Sequence, residues 1–333
     1  MPALSQRDWS PLMLQAIELA GQGPRSANPQ VGCVIVDEQG RLLGSGYHHG
    51  AGTPHAEVEA LTQAGEAARG ATAVVSLEPC RHTGRTGPCT SALIEAGIAR
   101  VVFAQEDPTA DASGGAEVLR AAGVEVIAGV EGERAQELNR LWTHVQRTGR
   151  PWVLLKLAQT LDAKVAVDRT APTAISGDQA RALTHELRAG VDAVVVGTGT
   201  ALADDPQLTV RERSVQRQPL RVVVGQRELP AGLRLLDGSH PTLVVRESHP
   251  REALARLREQ GVQSVLLEGG PTLATAFLEA GCVDEVVWLL APTLMGSGLA
   301  STQTLPSVIP VDVTEVRLIG NDVMVRGRIA PQH

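Results

Sequence analysis

The stretch Leu77-Glu78-Pro79-Cys80-Arg81-His82-Thr83-Gly84-Arg85-Thr86-Gly87-Pro88-Cys89, with Pro54-His55-Ala56-Glu57 ahead of it, decides how the first half of this chain is read. One imidazole and two thiols form a donor set suited to zinc, and three protein ligands leave a fourth position for water. A carboxylate two residues after the histidine, on the first turn of a helix, faces that position without ligating. His55, Cys80 and Cys89 are therefore the expected metal ligands. Glu57 is the expected catalytic base, taking a proton from water and passing it to a leaving group. A closed structural site is the other reading. It needs a fourth ligand, for which His82 is available, but it has no use for Glu57.

Around these motifs the pattern is that of a layered α/β domain. Residues 8–20 read as a helix with Asp8 as its N-cap and Leu12, Ile17 and Leu19 on its apolar side. The β-branched run 31–36 and residues 41–47 read as two strands about a turn at 37–40. Helices are expected over 55–64, 88–96, 116–122 and 131–145, and strands over 71–77, 100–104 and 124–127. After the linker Thr148-Gly149-Arg150-Pro151 the alternation restarts. Strands are expected over 152–157, 193–196, 220–224, 242–245, 264–267 and 285–290, with helices over 178–189, 251–259 and 273–280. A hairpin is expected about Gly320-Asn321-Asp322. Gly197-Thr198-Gly199 follows a strand, but Leu202 stands where a G-x-G-x-x-G fingerprint needs glycine, so no standard dinucleotide motif is present. Leu266-Leu267-Glu268-Gly269-Gly270-Pro271-Thr272 opens a helix whose N-terminus offers free N–H groups to phosphate.

Composition narrows the function classes. With 333 residues the chain is long enough for two domains. A net charge of −7 argues against a nucleic-acid partner, which needs clustered Lys and Arg. With only 2 Phe, 4 Trp and 1 Tyr, the composition also argues against stacking platforms for single strands. No apolar run approaches the ~20 residues that span a bilayer. The N-terminus lacks the apolar core of a secretory signal, so a cytoplasmic protein is expected. Four cysteines are too few for a disulfide scaffold, and Cys33 and Cys282 read as core residues.

His-x-Glu followed by Pro-Cys and a second cysteine is the signature of zinc nucleobase deaminases, except that the cysteines here stand nine positions apart (80 to 89) and not three. With that long insert, the segments Asn28-Pro29-Gln30-Val31-Gly32-Cys33-Val34-Ile35-Val36, Gly46-Tyr47-His48, Pro54-His55-Ala56-Glu57, Leu77-Glu78-Pro79-Cys80 and Gly84-Arg85-Thr86 resemble the bifunctional riboflavin-biosynthesis proteins. In that family a pyrimidine deaminase is fused to a 5-amino-6-(5-phosphoribosylamino)uracil reductase. The second half joins in through Leu155-Lys156-Leu157, Leu161-Asp162, the run from Ala203 to Arg211, and Glu268-Gly269-Gly270-Pro271-Thr272. The likeness extends from about Asp8 to Gly327.

The resemblance implies an α/β chain: a cytidine-deaminase-like three-layer α/β/α domain over 1–147 and a dihydrofolate-reductase-like α/β domain over 151–330. It implies one zinc ion in the first and NADPH in the second. The activity implied is hydrolytic deamination of 2,5-diamino-6-ribosylamino-4(3H)-pyrimidinone 5′-phosphate, followed by reduction of its ribosyl group to ribityl. Carried over residue by residue, the substrate positions are Asn28, His48, His82, Arg85, Arg188, Leu208, Arg211 and Glu268. Arg188 and Arg211 would grip the 5′-phosphate, and Lys156 would support the reacting sugar. Cofactor positions are Ala158, Ala174, Thr200, Asp204, Gly270, Pro271, Thr272, Leu273, Ala274, Thr275 and Ala276. The implied partner is a small phosphorylated pyrimidine, with no nucleic acid and no membrane, and a homo-oligomer is expected. This chain departs from the family at Arg81 (usually Ser), Gly87 (usually Pro), Ala158 and Ala163 (usually Gly), Pro172 (a substrate-contact Ser) and Ala174 (a Trp lining the cofactor site). The last two make a deaminase with a non-reducing second domain the nearest alternative. A tRNA-editing deaminase and a non-enzymatic zinc-stabilised module stand further off.

Overall fold

Continuous apolar runs with alternating faces build the first unit, residues 1–148. The computed structural model describes residues 8–82, 87–168, 173–211, 213–247 and 249–330. Strands β1 (Gly32–Val36), β2 (Leu42–Tyr47), β3 (Thr72–Leu77), β4 (Arg100–Gln105) and β5 (Glu125–Ala128) form one sheet in the order β2-β1-β3-β4-β5. β1 runs antiparallel to β2 and β3, and β3, β4 and β5 are parallel. Because side chains alternate along a strand, Val34 and Val36 point to one face and Cys33 and Ile35 to the other. The first face packs on Trp9, Met13 and Ala16 of α1 (Ser10–Gln22) and its approach, and on Ala135 of α5 (Gly132–Leu138). The second packs on α2 (Ala56–Ala64), α3 (Cys89–Glu95) and α4 (Gly115–Ala121), through Ala56, Ala60, Leu93 and Leu119. The result is three layers, α/β/α.

Helix α2 lies very close to the sheet, and two glycines of β2 make room for it. A Cβ on Gly44 would sit 2.2 Å from the Ala60 carbonyl, and one on Gly46 would sit 2.7 Å from that of Ala56. Two expectations need correction. Helix α1 starts at Ser10 with Trp9 as N-cap, and Asp8 serves it from one residue further out, its Oδ1 accepting the Ser10 N–H at 3.0 Å. The helix expected over 131–145 is two, α5 and α6 (Arg140–Thr148). It breaks at Asn139, whose buried amide accepts the Gln30 N–H and donates to the Gln30 carbonyl, each at 2.9 Å.

The second unit, residues 149–333, carries an eight-stranded sheet in the order β10-β9-β8-β11-β6-β12-β15-β14. Its strands are β6 (Trp152–Thr160), β8 (Ala193–Gly197), β9 (Leu220–Val224), β10 (Thr242–Val245), β11 (Ser264–Leu267), β12 (Glu285–Ala291), β14 (Val311–Ile319) and β15 (Asp322–Ile329). The first six in that spatial order are parallel, and β15 and β14 close it antiparallel. Helices α9 (Pro250–Glu259) and α10 (Pro271–Glu279) cover one face, and α7 (Asp178–Ala189) and α8 (Thr198–Asp204) the other. The short pair β7 (Lys164–Ala166) and β13 (Leu299–Ala300), like α8, has no counterpart in the sequence reading. The hairpin turn is tighter than expected: Ile319 pairs with Asp322 across Gly320 and Asn321. Gly320 has φ of 62°, the left-handed conformation such a two-residue turn needs.

Candidate functional site: a three-donor metal centre and a cleft at the strand ends

In the first unit the metal motif converges. His55 is the N-cap of α2, Cys80 follows β3, and Cys89 is the first residue of α3. His55 Nδ1 lies 3.1 Å from Cys89 Sγ and 3.6 Å from Cys80 Sγ, and the three ligand atoms lie within 4.8 Å of one another. Bond lengths of ~2.3 Å to sulfur and ~2.0 Å to nitrogen put tetrahedral ligands ~3.5 Å apart, so the donor set fits zinc. Among the described residues no fourth His, Cys, Asp or Glu joins the cluster, and His82 is exposed. The closed-site alternative therefore has no ligand in His82.

Electrostatics are shaped for the same role. Hydrogen bonding from Cys89 is the largest influence on Cys80 and, with His55, lowers its thiol to about 4. Cys89, as the donor, is pushed up. The hydrogen bond to Cys80 also raises His55. Glu57 is only 3% exposed, and burial first, then the Cys80 charge, raises its carboxyl above the usual range. Beside the centre, Asn28 Nδ2 lies 3.1 Å from His48 Nε2, and His48 Nδ1 lies 3.3 Å from the Pro54 carbonyl. That network assigns the Nδ1–H tautomer, with Nε2 accepting from Asn28. The His48 ring packs edge-on to His55 with centroids 5.4 Å apart, so Asn28 and His48 adjoin the metal ligands. Arg85 and its neighbours at 83–86 lie outside the described residues. Arg81 turns to the Ala110 carbonyl at 3.3 Å.

One residue of this motif carries a role the sequence reading missed. Glu78 is buried, and its carboxylate accepts the Ala116 N–H at 2.9 Å and the Asp107 N–H at 3.3 Å. It thus ties the segment leading to Cys80 to the start of α4. Asn139 does the same for the Asn28 loop through Gln30. No local pattern marks either residue, because the partners are 29 to 109 positions away.

In the second unit a cleft of about 530 Å³ opens at the C-terminal ends of the parallel strands. From β8 the chain moves on to β9 on one side, and from β11 to β12 on the other, so the crevice lies at a topological switch point. The turns into α8 and α10 meet there, where the Gly270 N–H donates to Thr200 Oγ1 at 3.2 Å. Lys156, Ala158, Thr200, Asp204, Glu268, Gly270, Pro271, Thr272, Leu273 and Ala276 all line it. Ala274 and Thr275 do not: they turn inward, Ala274 into the core and Thr275 Oγ1 to the Gln303 N–H at 2.7 Å. The 100° step of a helix puts 272, 273 and 276 on the cleft side and 274 and 275 away from it. Ala174 is exposed and outside the lining, while its neighbour Thr173 belongs to it. Pro172 lies outside the described residues. The sequence reading also missed Gly225, Gln226 and Arg227, which follow β9 into the cleft.

The expected phosphate clamp is differently arranged. Arg188 is buried and its fork holds Glu268, Nε to Oε1 at 2.6 Å and Nη2 to Oε2 at 2.9 Å, with Nη1 on the Thr209 carbonyl at 3.1 Å. Burial pushes the Glu268 carboxyl up, but Arg188 outweighs it and the net shift is downward. Burial lowers Lys156, against the pull of Glu268. Leu208 is buried in the core with φ of 54°. Arg211 is exposed and bonds Gln207 at 2.8 Å beside a separate hollow of about 250 Å³.

Comparison with known proteins agrees with both halves. Residues 7–105 match the cytidine and deoxycytidylate deaminase zinc-binding region, and residues 151–325 match the RibD C-terminal domain. The chain is 40% identical to riboflavin biosynthesis protein RibD of Aquifex aeolicus, covering 94% of this chain and 96% of that one. It is 38% identical to RibD of Escherichia coli, covering 93% and 96%. Among solved structures, Acinetobacter baumannii RibD superposes with a TM-score of 0.81 at 36% identity, over 96% of this chain and 98% of the other. The Thermotoga maritima deaminase/reductase does so with 0.81 at 34%, over 97% and 99%. The chain belongs to the riboflavin biosynthesis protein RibD family.

Proposed function

We propose that this protein carries out two successive steps of riboflavin biosynthesis, deamination in the first unit and reduction in the second, on 2,5-diamino-6-ribosylamino-4(3H)-pyrimidinone 5′-phosphate and its product. The observation that carries the reading is the three-donor centre of His55, Cys80 and Cys89 with the buried Glu57 carboxylate beside it. Zinc held there supplies Lewis acidity and makes water acidic near neutral pH. Glu57 takes a proton from the attacking water and returns it to the departing amine, so that a C–O bond replaces a C–N bond and ammonia leaves. A carboxyl raised by burial suits both halves of that exchange. Asn28 and His48 orient the pyrimidine against the centre.

In the second unit the cleft would hold NADPH, which when bound would supply the hydride for reduction of the ring-opened sugar. Thr200, Asp204 and the Gly270–Leu273 turn receive the cofactor, and the start of α10 offers its N–H groups to phosphate. Lys156 supports the sugar. Arg188 acts through Glu268: its fork holds that carboxylate toward the cleft, and Arg211 is left as the exposed arginine for the phosphate. Arg227, which lines the cleft, would favour NADPH over NADH by offering its guanidinium to the extra phosphate. The protein works in the cytoplasm as a homo-oligomer; no helix among the described residues is long and apolar enough to cross a membrane.

The test is incubation with the diaminopyrimidinone phosphate, with and without NADPH, following both products by mass. Glu57→Ala should end ammonia release while zinc stays bound and the deaminated intermediate is still reduced. Full deamination by that variant would remove Glu57 from its role. Deamination with no NADPH-dependent product in the unmodified protein would leave the second unit as a non-reducing domain.

A further inference from the structure

Residues 205–211 follow α8 and belong to no helix or strand, yet Leu208, Thr209 and Val210 are buried. Buried backbone N–H and C=O groups need partners, and here side chains supply them. The Thr209 carbonyl accepts from Arg188 Nη1 at 3.1 Å, and the other two nitrogens of that guanidinium hold Glu268 in the cleft wall. The Gln218 amide takes both groups of Val210. Its Oε1 accepts the Val210 N–H at 2.8 Å, and its Nε2 donates to the Val210 carbonyl at 2.9 Å. The Arg211 N–H donates to His185 Nδ1 at 3.4 Å. Three consecutive residues are thus held by side chains alone, two of them on α7.

An amide side chain carries the donor and acceptor of a peptide group, so Gln218 pairs with Val210 as a residue of a neighbouring antiparallel strand would. A strand ladder can slip in register, but partners given residue by residue from separate places fix the segment at one position. Leu208, just ahead of it, is held at φ of 54°, a conformation that persists only where the surroundings determine it. The residue this arrangement presents is Arg211, whose side chain is exposed. His185 fixes the backbone from which that side chain starts. Gln207 fixes its far end, Oε1 accepting from Arg211 Nη1 at 2.8 Å. A guanidinium set at both ends meets a phosphate without first having to be ordered.

We infer that Gln218 and His185 are positioning residues, which hold Arg211 for the substrate phosphate through the backbone of residues 210 and 211. The inference rests on the reading of Arg211 as a phosphate ligand given above. Steady-state kinetics of the reductase step, on the full chain, tests it. Arg211→Ala should raise KM for the deaminated phosphate intermediate about tenfold, as expected for a lost charged hydrogen bond, with KM for NADPH unchanged. Gln218→Leu keeps the bulk without a polar atom, and His185→Phe keeps a ring without an acceptor. Each should raise the same KM about three- to tenfold. Each should leave kcat and KM for NADPH in place, the mark of lost binding shared by ground and transition states. His185→Asn returns an acceptor near the place of Nδ1 and should recover most of the loss. With Arg211→Ala already present, neither Gln218→Leu nor His185→Phe should raise KM further, since they act through that side chain. If Gln218→Leu does not fold, the His185→Phe and His185→Asn pair decides alone. An Arg211→Ala chain with unchanged KM for the intermediate would overturn the phosphate reading and the positioning role together. If Arg211→Ala raises that KM but the positioning variants do not, or if they raise it as much without Arg211 as with it, the positioning role alone is overturned.

Discussion

Gly44→Ala offers a sharp test of how the sheet positions the deaminase centre. Nothing in the Gly44 backbone needs glycine, since its φ is not positive. Its added Cβ, however, would lie 2.2 Å from the Ala60 carbonyl oxygen, where contacts below 3.0 Å are not tolerated. Helix α2 would have to lift by about 0.8 Å (3.0 − 2.2) or more. His55 caps that helix and Glu57 sits in its first turn, so both move with it. Overpacking of this kind costs about 1–3 kcal/mol of stability. A displacement near 1 Å at a catalytic group costs about 100-fold in rate. Ammonia release by Gly44→Ala should therefore fall about 100-fold while reduction of the deaminated intermediate is unchanged. Zinc content by atomic absorption separates a misplaced base from a lost ion. If the variant deaminates at the unmodified rate with a folded first unit, the claim that glycine clearance sets the position of Glu57 fails.

Further predictions concern the second unit. Ala163, where the family usually has Gly, is held at φ of 59°. The left-handed conformation costs about 1–2 kcal/mol and glycine's extra unfolded freedom returns about 0.4–1 kcal/mol. Ala163→Gly should therefore stabilise that unit modestly, raising its melting temperature by about 1–3 °C in calorimetry. Glu268→Ala strands the buried Arg188 charge and should cost about 3–5 kcal/mol, read as early urea unfolding of the reductase half. The Thr160 hydroxyl and the Met295 and Gly296 N–H groups hold Asp162 at about 2. Because the folded value is depressed, its contribution is full above the ordinary carboxylate range and disappears as pH falls toward 2. The melting gap between Asp162→Asn and the unmodified chain should accordingly close between pH 5 and about 2. Arg227→Ala should raise KM for NADPH about tenfold and leave KM for NADH unchanged, as expected for one lost charged hydrogen bond.

What could be read without coordinates was what is local. His55, Glu57 and Cys80 carry their chemistry in short spacings, and runs such as Val101-Val102 or Val265-Leu266 announce buried parallel strands. What could not be read depends on partners far along the chain. Asn139 breaks a helical pattern because Gln30, 109 positions away, competes for it. The pairing of Arg188 with Glu268 joins residues 80 positions apart, so no local pattern announces it. The motif 270–276 runs on through Ala274 and Thr275 because it follows sequence order, whereas the helix turns those two side chains away from the cleft.

The Glu78 carboxylate gives the deaminase half a property that small zinc modules lack. In those modules the ion assembles the chain, and chelation unfolds it. Here the corner is braced before any ion arrives: a buried acid clasps two distant N–H groups, and the Asn139 amide clasps the approach to Asn28. The ion is a guest in a room already built. Stripping it with a chelator should silence ammonia release yet leave the melting curve of that half almost where it was, and refilling should revive it without a folding step.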